Sequence, residues 1–420
     1  MPLTAVLLVF LGAVPNVVLI SVDTLRADRL GSYGYPRPTS PNLDRFAQES
    51  LVFDNCVCEV PLTGPSFGAI FTSLCPRMVG MTRNGLALPR EVPTVTERFR
   101  DAGYYTFCVQ SNWTLKAKLC GLECGFDVYD DGFHRRRWGV LKSERYADEV
   151  SDRALELLAT RDPQRPFFAW IHYSDPHAPY RQHRDFDPSH DAFKGGDKIR
   201  RVNRSYDSEV AYTDYHVNRV LSALPTEDTY VVFLSDHGES LYEHNYLGHG
   251  RRVYQYEVRI PLMIRGPGIE PGRSDIPARG LDLAPTLSGL AGLTSLSGGL
   301  GLDLLHGVVA RDRPRVIETY GGAVPKVPGM KALMAGRRPM RQAVLLEGWK
   351  LIVNGNETEL YRLTDDPEEL QDLAPREPDL AERLHRLITE WDQRIPRRHG
   401  EAAALSEEDF RALKSLGYLE

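Results

Sequence analysis

Residues Asn16–Asp23 read NVVLISVD. A continuous β-branched apolar run ending on an acid is the signature of a central parallel strand buried on both faces. The pattern returns in TYVVFLSDHGES (Thr229–Ser240) and in RPFFAWIHYSDPHAPY (Arg165–Tyr180). IPLMIRGPG (Ile260–Gly268) and YYTFCVQSN (Tyr104–Asn112) add two more strand candidates. Helical stretches lie between them: SPNLDRFAQES (Ser40–Ser50), VPTVTERFRDAG (Val92–Gly103) and YADEVSDRALELLA (Tyr146–Ala159). Alternating strands and helices predict an α/β fold, a large mixed, mostly parallel sheet sandwiched by helices.

Ligands bind such sheets at the carboxyl ends of the strands. Three of these strands end in SVDT, YSDPH and LSDHGE. One Asp after a strand is usually a turn or a helix cap, and Asp23 alone reads as a cap for TLRADRL. Three Asp with two adjacent His at one sheet edge point to a metal or catalytic site. Asp23, Asp236 and His237 are the best ligand candidates. Two carboxylates and an imidazole suit Mn, Zn or Fe better than an all-oxygen Ca cage. One divalent cation is expected, with Ca the least favoured. A second, held by Asp175, His177 and His249, is the alternative.

PLTGPSFGAIFTSLCP (Pro61–Pro76) reads as a turn and a short helix, with Pro65 near the favoured first helical position. Taken alone, Thr63 before Gly-Pro is a cap. Beside a cation its hydroxyl becomes a competent nucleophile, and the helix N-terminus faces an incoming phosphoryl or sulfuryl group. His177 and His249 are candidates for donating a proton to the leaving group. His172, inside a strand, reads as structural, and His244 as either a ligand or a loop residue.

The chain has 420 residues, 42% hydrophobic and 26% charged, enough for a large globular core. A formal net charge of -6 argues against nucleic acid as a partner. Six cysteines in a chain this long, without paired CxxC spacing, form neither a disulfide framework nor a zinc module. The apolar run Leu3–Val14 is too short to span a bilayer. It reads equally as a signal-peptide core, implying export, or as a leader into the first strand of a cytoplasmic protein. GLAGLTSLSGGLG (Gly289–Gly301) is read as a surface loop. Arg341–Leu370 reads as antiparallel strands with NGNE as a hairpin turn, and Glu377–Ile395 as an amphipathic helix. The expected organisation is a leader over 1–15, a catalytic domain over 16–325 and a C-terminal subdomain over 326–420. The polar stretch Arg181–Ser205 is read as a long loop, either a substrate cover or a plain excursion. NWT, NRS and NET are formal glycosylation acceptors.

With these motifs in order, the chain resembles the sulfatase family of the alkaline phosphatase superfamily. The resemblance rests on NVVLISVDTLRADRLGSYGY, PLTGPSFGAIFTSLCPR, FFAWIHYSDPHAPY, LSDHGESLYEHNYLGHG, YEVRIPLMIRGPG, LDLAPTLSGLAG and ELYRLTDDPEELQDLA, and extends to the terminal LKSLGYLE. It implies a metal-dependent hydrolase of anionic esters with a C-terminal four-stranded subdomain. Asp23, Asp236 and His237 fall on the metal ligands, Thr63 on the nucleophile, and Thr24 where many sulfatases carry a second Asp. Asn84, otherwise an ordinary Asn-Gly turn, falls where phosphodiesterases of the superfamily place an Asn on the bound phosphate. The family's C/S-x-P-x-R signature is Thr63-Gly64-Pro65-Ser66-Phe67 here. Thr cannot become formylglycine, Phe67 stands where the Arg belongs, and Pro61 lies one residue too far from Cys58. Phosphate or phosphonate esters are therefore expected over sulfate esters, on a small molecule or linked to a glycan or lipid. The alternatives are an arylsulfatase-like sulfuric ester hydrolase, a phosphoryl transferase, and a non-catalytic binding protein. Oligomeric state is not legible.

Overall fold

The computed structural model describes residues 14–133, 135–137, 141–188, 193, 195–321 and 339–402. Most of the N-terminal leader and the terminal LKSLGYLE lie outside the described residues. The main sheet contains, in chain order, β1 (Asn16–Val22), β2 (Leu51–Phe53), β3 (Tyr105–Gln110), β4 (Val128–Asp130), β5 (Phe167–Tyr173), β6 (Thr229–Ser235), β7 (Leu262–Arg265) and β8 (Gly272–Ser274). Their order across the sheet is β8-β2-β7-β6-β1-β5-β3-β4. The strands β6, β1, β5, β3 and β4 are mutually parallel. The strand expected in IPLMIRGPG forms as β7, but it pairs antiparallel to both β6 and β2 and makes the sheet mixed.

Burial on both faces explains the unbroken apolar run of β1. Val17 and Leu19 enter one core layer, while Val18, Ile20 and Val22 enter the other. Alternate side chains of a strand point to opposite faces, so a strand covered on both sides has no polar positions to spare. One layer takes up α1 (Pro41–Gln48) through Leu43 and Phe46, and the first layer takes up α2 (Thr63–Thr72) through Phe67, Ile70 and Phe71. The helices expected at Val92–Gly103 and Tyr146–Ala159 form as α3 (Val95–Asp101) and α4 (Ala147–Thr160). Thr94 caps α3 in a reciprocal capping box with Glu97.

Three local expectations shift. Helix α2 begins at Thr63 itself, so Pro65 occupies its third position rather than its first. The stretch read as loop to Ser205 turns helical at Asp197, where α5 (Asp197–Leu221) starts. Its middle turns are buried nearly all round, polar residues Asp207, Ser208 and Glu209 included, and its polar first turns hid it. The smaller sheet takes its first strand from β9 (Arg315–Thr319), ahead of residue 326. It continues through β10 (Arg341–Leu346), β11 (Trp349–Asn354) and β12 (Glu357–Arg362), all antiparallel. The NGNE hairpin forms as read, with Asn354 opposite Glu357 and Gly355 at φ 61°. The loop expected at Gly289–Gly301 follows helix α6 (Leu283–Leu290).

Helix α7 (Pro378–Arg394) covers the small sheet with Leu384, Ile388 and Trp391. These share one cluster with Val344, Leu351 and Leu360 of that sheet and with Ala69, Cys75 and Leu281 of the main body. The subdomain is thus packed onto the far side of α2. All six cysteines are free thiols, five of them buried. Among the described residues no helix is long and apolar enough to cross a membrane.

Candidate active site

Strand register brings the first ligands together. Val22 pairs with Ser235 on one side and with Tyr173 on the other. The next residues, Asp23 and Asp236, therefore leave adjacent parallel strands at the same level. Each carboxylate has one oxygen held and one left over. Asp236 Oδ1 accepts from the Thr24 N–H (3.2 Å) and the His237 N–H (2.9 Å), while Oδ2 has no hydrogen-bond partner. Asp23 Oδ2 accepts from Asn112 Nδ2, while Oδ1 has none. Both residues are fully buried. Burial and the neighbouring Asp236 charge hold the Asp23 carboxyl well above its ordinary range, and burial raises Asp236 too. Two buried carboxylates aiming unpartnered oxygens at one point are costly unless a cation joins them.

His237 completes the cradle. Its Nδ1–H donates to the Gly238 carbonyl at 2.9 Å, which leaves Nε2 carrying the lone pair. Nε2 lies 3.7 Å from Asp23 Oδ1, 3.5 Å from Asp236 Oδ2 and 3.4 Å from Thr63 Oγ1. Such spacings suit donors that share an ion at roughly 2.0–2.6 Å. Burial pushes the His237 imidazole down to about 4, so it is a neutral ligand near neutral pH. The donor set fits a divalent cation.

Thr63 is the first residue of α2 and its hydroxyl caps nothing in that helix; the preceding residue, Leu62, is the N-cap and makes no side-chain capping bond. The hydroxyl instead faces His237. Asn84, in an Asn-Gly turn, accepts from the Gly64 N–H at 2.8 Å, and its Nδ2 is buried without a partner. Ser66 Oγ donates to the Asp236 carbonyl at 2.7 Å, tying α2 to the end of β6. Thr24 takes a left-handed backbone (φ 56°), a strained conformation for a β-branched residue, as the chain turns away behind Asp23. At the signature position of the Arg, Phe67 fills an aromatic slot with centroids 4.6 Å from Trp170 and 5.0 Å from His172.

The other histidines separate. The His249 ring lies 4.5 Å from that of His237 and 5.2 Å from that of His177. His249 Nδ1–H donates to Glu239 Oε1 at 3.0 Å, and His177 Nδ1–H to the Ala178 carbonyl at 2.7 Å. His172 is in β5, as its structural reading requires, yet one of its ring nitrogens comes within 4.8 Å of carboxylate oxygens of Asp23 and Asp236. The Trp170 indole N–H donates to Ser21 Oγ (3.0 Å), which also contacts His172 Nδ1 (2.9 Å). His172 Nε2 is buried without a hydrogen-bond partner, so this imidazole is a further candidate donor beside the two carboxylates. His244 is away from the cradle, stacked on Tyr254 at 4.0 Å with Nε2 against the Glu368 carbonyl. Asp175 is grouped with His183 and Glu209, residues the sequence reading did not single out. Asn112 was also missed as a site residue, because NWT reads as a glycosylation acceptor. The side chains of Asn112 and Asn203, in two of the three such motifs, are buried.

A divalent-cation cradle at the carboxyl edge of a mixed α/β sheet, faced by a hydroxyl at a helix N-terminus, defines a class of metal-dependent hydrolases. Residues 15–293 match the Sulfatase family, and the chain belongs to that family. It is therefore a hydrolase of ester bonds. It is 24% identical to the uncharacterized sulfatase YidJ of Escherichia coli, over 91% of this chain and 88% of the relative. It is 26% identical to the choline-sulfatase of Rhizobium meliloti, over 87% and 83%. Among solved structures it superposes on the phosphonate monoester hydrolase of Agrobacterium radiobacter with TM-score 0.73 at 18% identity, covering 94% of this chain and 98% of that one.

Proposed function

We propose that the protein hydrolyses phosphate or phosphonate esters through Thr63, in preference to sulfate esters. The observation that carries this is the Thr63 hydroxyl, at the first position of α2 and 3.4 Å from His237 Nε2. In the first step the Thr63 Oγ–P bond forms and the bond from phosphorus to the ester oxygen breaks. The Thr63 hydroxyl proton passes to Nε2 of His177 or His249, the nitrogen that the Nδ1–H bonds leave with a lone pair, and from there to the departing alcohol. In the second step water attacks phosphorus, the Thr63 oxygen is released with a proton, and phosphate or phosphonate departs. Asp23, Asp236 and His237 would hold a divalent cation, with Mn, Zn and Fe favoured by the mixed donors; it would neutralise developing charge and lower the hydroxyl pKa. The positive end of the α2 dipole complements the equatorial oxygens.

Phe67 supports the same reading. A buried aromatic cluster replaces the Arg that accompanies formylglycine in the family signature, and Thr63 has no route to the aldehyde. Sulfate ester hydrolysis is the second reading, favoured by the choline-sulfatase relative. One experiment separates them: turnover of aryl phosphate mono- and diesters, phosphonates and aryl sulfates by wild type, Thr63→Ser and Thr63→Ala. Phosphate or phosphonate turnover is expected, with Thr63→Ala lowering kcat by roughly 10³-fold or more and Thr63→Ser retaining part of it. Sulfate turnover that survives Thr63→Ala would sink the assignment.

A further inference from the structure

We propose that Asp175, His183 and Glu209 form a second divalent-cation site, which fastens the loop carrying His177 to helix α5. The three come from separate places: Asp175 just past β5, His183 in the loop beyond, and Glu209 on α5. One donor atom from each lies within 4.8 Å of the others. Asp175 is only 5% exposed, and its Oδ2 has no hydrogen-bond partner. An unpartnered carboxylate oxygen that deeply buried needs a cation or a proton.

The frame around it is built. His183 Nε2 makes no hydrogen bond and lies 3.7 Å from Glu209 Oε1. The ring is held flat on Tyr212, with centroids 4.0 Å apart and planes 5° from parallel. The His183 N–H donates to Ser208 Oγ at 2.8 Å. Thr213 Oγ1 shares its proton between the Glu209 carbonyl at 2.8 Å and the Asp175 carbonyl at 3.1 Å, and the Arg181 N–H donates to Glu209 Oε1 at 2.6 Å. Burial and the Glu209 charge raise the Asp175 carboxyl, and burial lowers the His183 imidazole, which is then the neutral form that binds metal. Two carboxylates and one imidazole suit Zn, Mn or Fe, with water completing the coordination. His177 sits two residues from Asp175, so an ion here fixes one of the two histidines beside the candidate active site.

This grouping differs from the sequence expectation of Asp175 with His177 and His249. Asp175 has a closer-set donor pair across the loop, whereas His249 is engaged by Glu239.

The test counts metal. Full-length protein is stripped with chelator, reloaded with Zn²⁺ or Mn²⁺, and metal per chain is measured by mass spectrometry. Two equivalents are expected for wild type, one for Asp236→Ala, one for His183→Ala or Glu209→Gln, and none when the two sites are combined. Saturation of wild type at one equivalent overturns the proposal. So does a full complement in both His183→Ala and Glu209→Gln. Should those variants not fold, Co²⁺ loaded into Asp236→Ala decides. A d–d spectrum of a mixed oxygen/nitrogen site supports the proposal, and the spectrum of the aqueous ion alone overturns it.

Discussion

At the level of single residues, ionisable groups without full partners set the chemistry and leave a measurable pH signature. Glu59 is buried at 4% exposure, its Oε1 accepts from the Leu281 N–H at 3.2 Å, and its Oε2 has no partner. Burial pushes its carboxyl up to about 7 from 4.5. Between those values the folded chain keeps a proton that the unfolded chain has released. The unfolding free energy therefore falls as pH rises through that window, by up to about 3 kcal/mol in total. The contribution is complete below the unfolded value and gone above the folded one. Urea unfolding from pH 4.5 to 8 should show this slope in wild type relative to Glu59→Gln, which is neutral throughout. Identical slopes would show that Glu59 is ionised in the fold. The residues around Thr63 divide by the same logic. Asp23 and Asp236 stood out in sequence because several strands end on acids at the same edge of one sheet. Asn112, which holds Asp23, did not, because nothing local distinguishes it from an ordinary polar loop residue.

Among secondary-structure elements, α2 connects the site to the core. Its first turn presents Thr63 while Phe67 and Phe71, one turn and two turns on, pack on Trp170. Phe67→Ala should cost about 3–5 kcal/mol, read by chemical denaturation, and should lower activity by displacing the helix start. Installing the family residue, Phe67→Arg, places an unpaired charge among Phe71, Trp170 and His172, and is expected to destabilise more and to yield no sulfatase. Helix α3 offers a contrast remote from the chemistry. Thr94→Ala removes the side-chain half of its capping box, leaving the backbone N–H on Glu97, and should cost about 1 kcal/mol while kcat stays unchanged. The strands and the amphipathic helices were legible because burial on one or two faces writes a period into the sequence. Helix α5 was not, because its first turns are polar.

For the whole molecule, the question is how the smaller sheet is held to the larger. Beyond the apolar contact through α2, a buried ion pair lies beneath it. Lys350 on β11 meets Glu369 at 2.7 Å, both fully buried, and Glu257 of the main body is buried with neither carboxyl oxygen hydrogen-bonded. Burial and the Glu239 charge hold Glu257 well above its ordinary range. Glu369 Oε2 accepts from the Gln255 N–H, so this carboxylate joins the C-terminal segment to the catalytic body. Lys350→Met leaves Glu369 without its cation and should cost about 3–5 kcal/mol. Adding Glu369→Leu should recover most of that loss, and a double mutant no more stable than Lys350→Met would remove the pair from the account.

The sequence by itself determined the layered α/β architecture, and it singled out Asp23, Asp236, His237 and Thr63 as candidates at one sheet edge. These are local facts: a buried strand writes a run, and an acid after it writes its end. Only the tertiary structure decided which groups meet across the chain. It set Asn112 on Asp23, Glu239 on His249, and Asp175 with His183 and Glu209. Those contacts depend on strand register and helix packing, which join residues from 8 to 89 positions apart and leave no periodic trace in the chain.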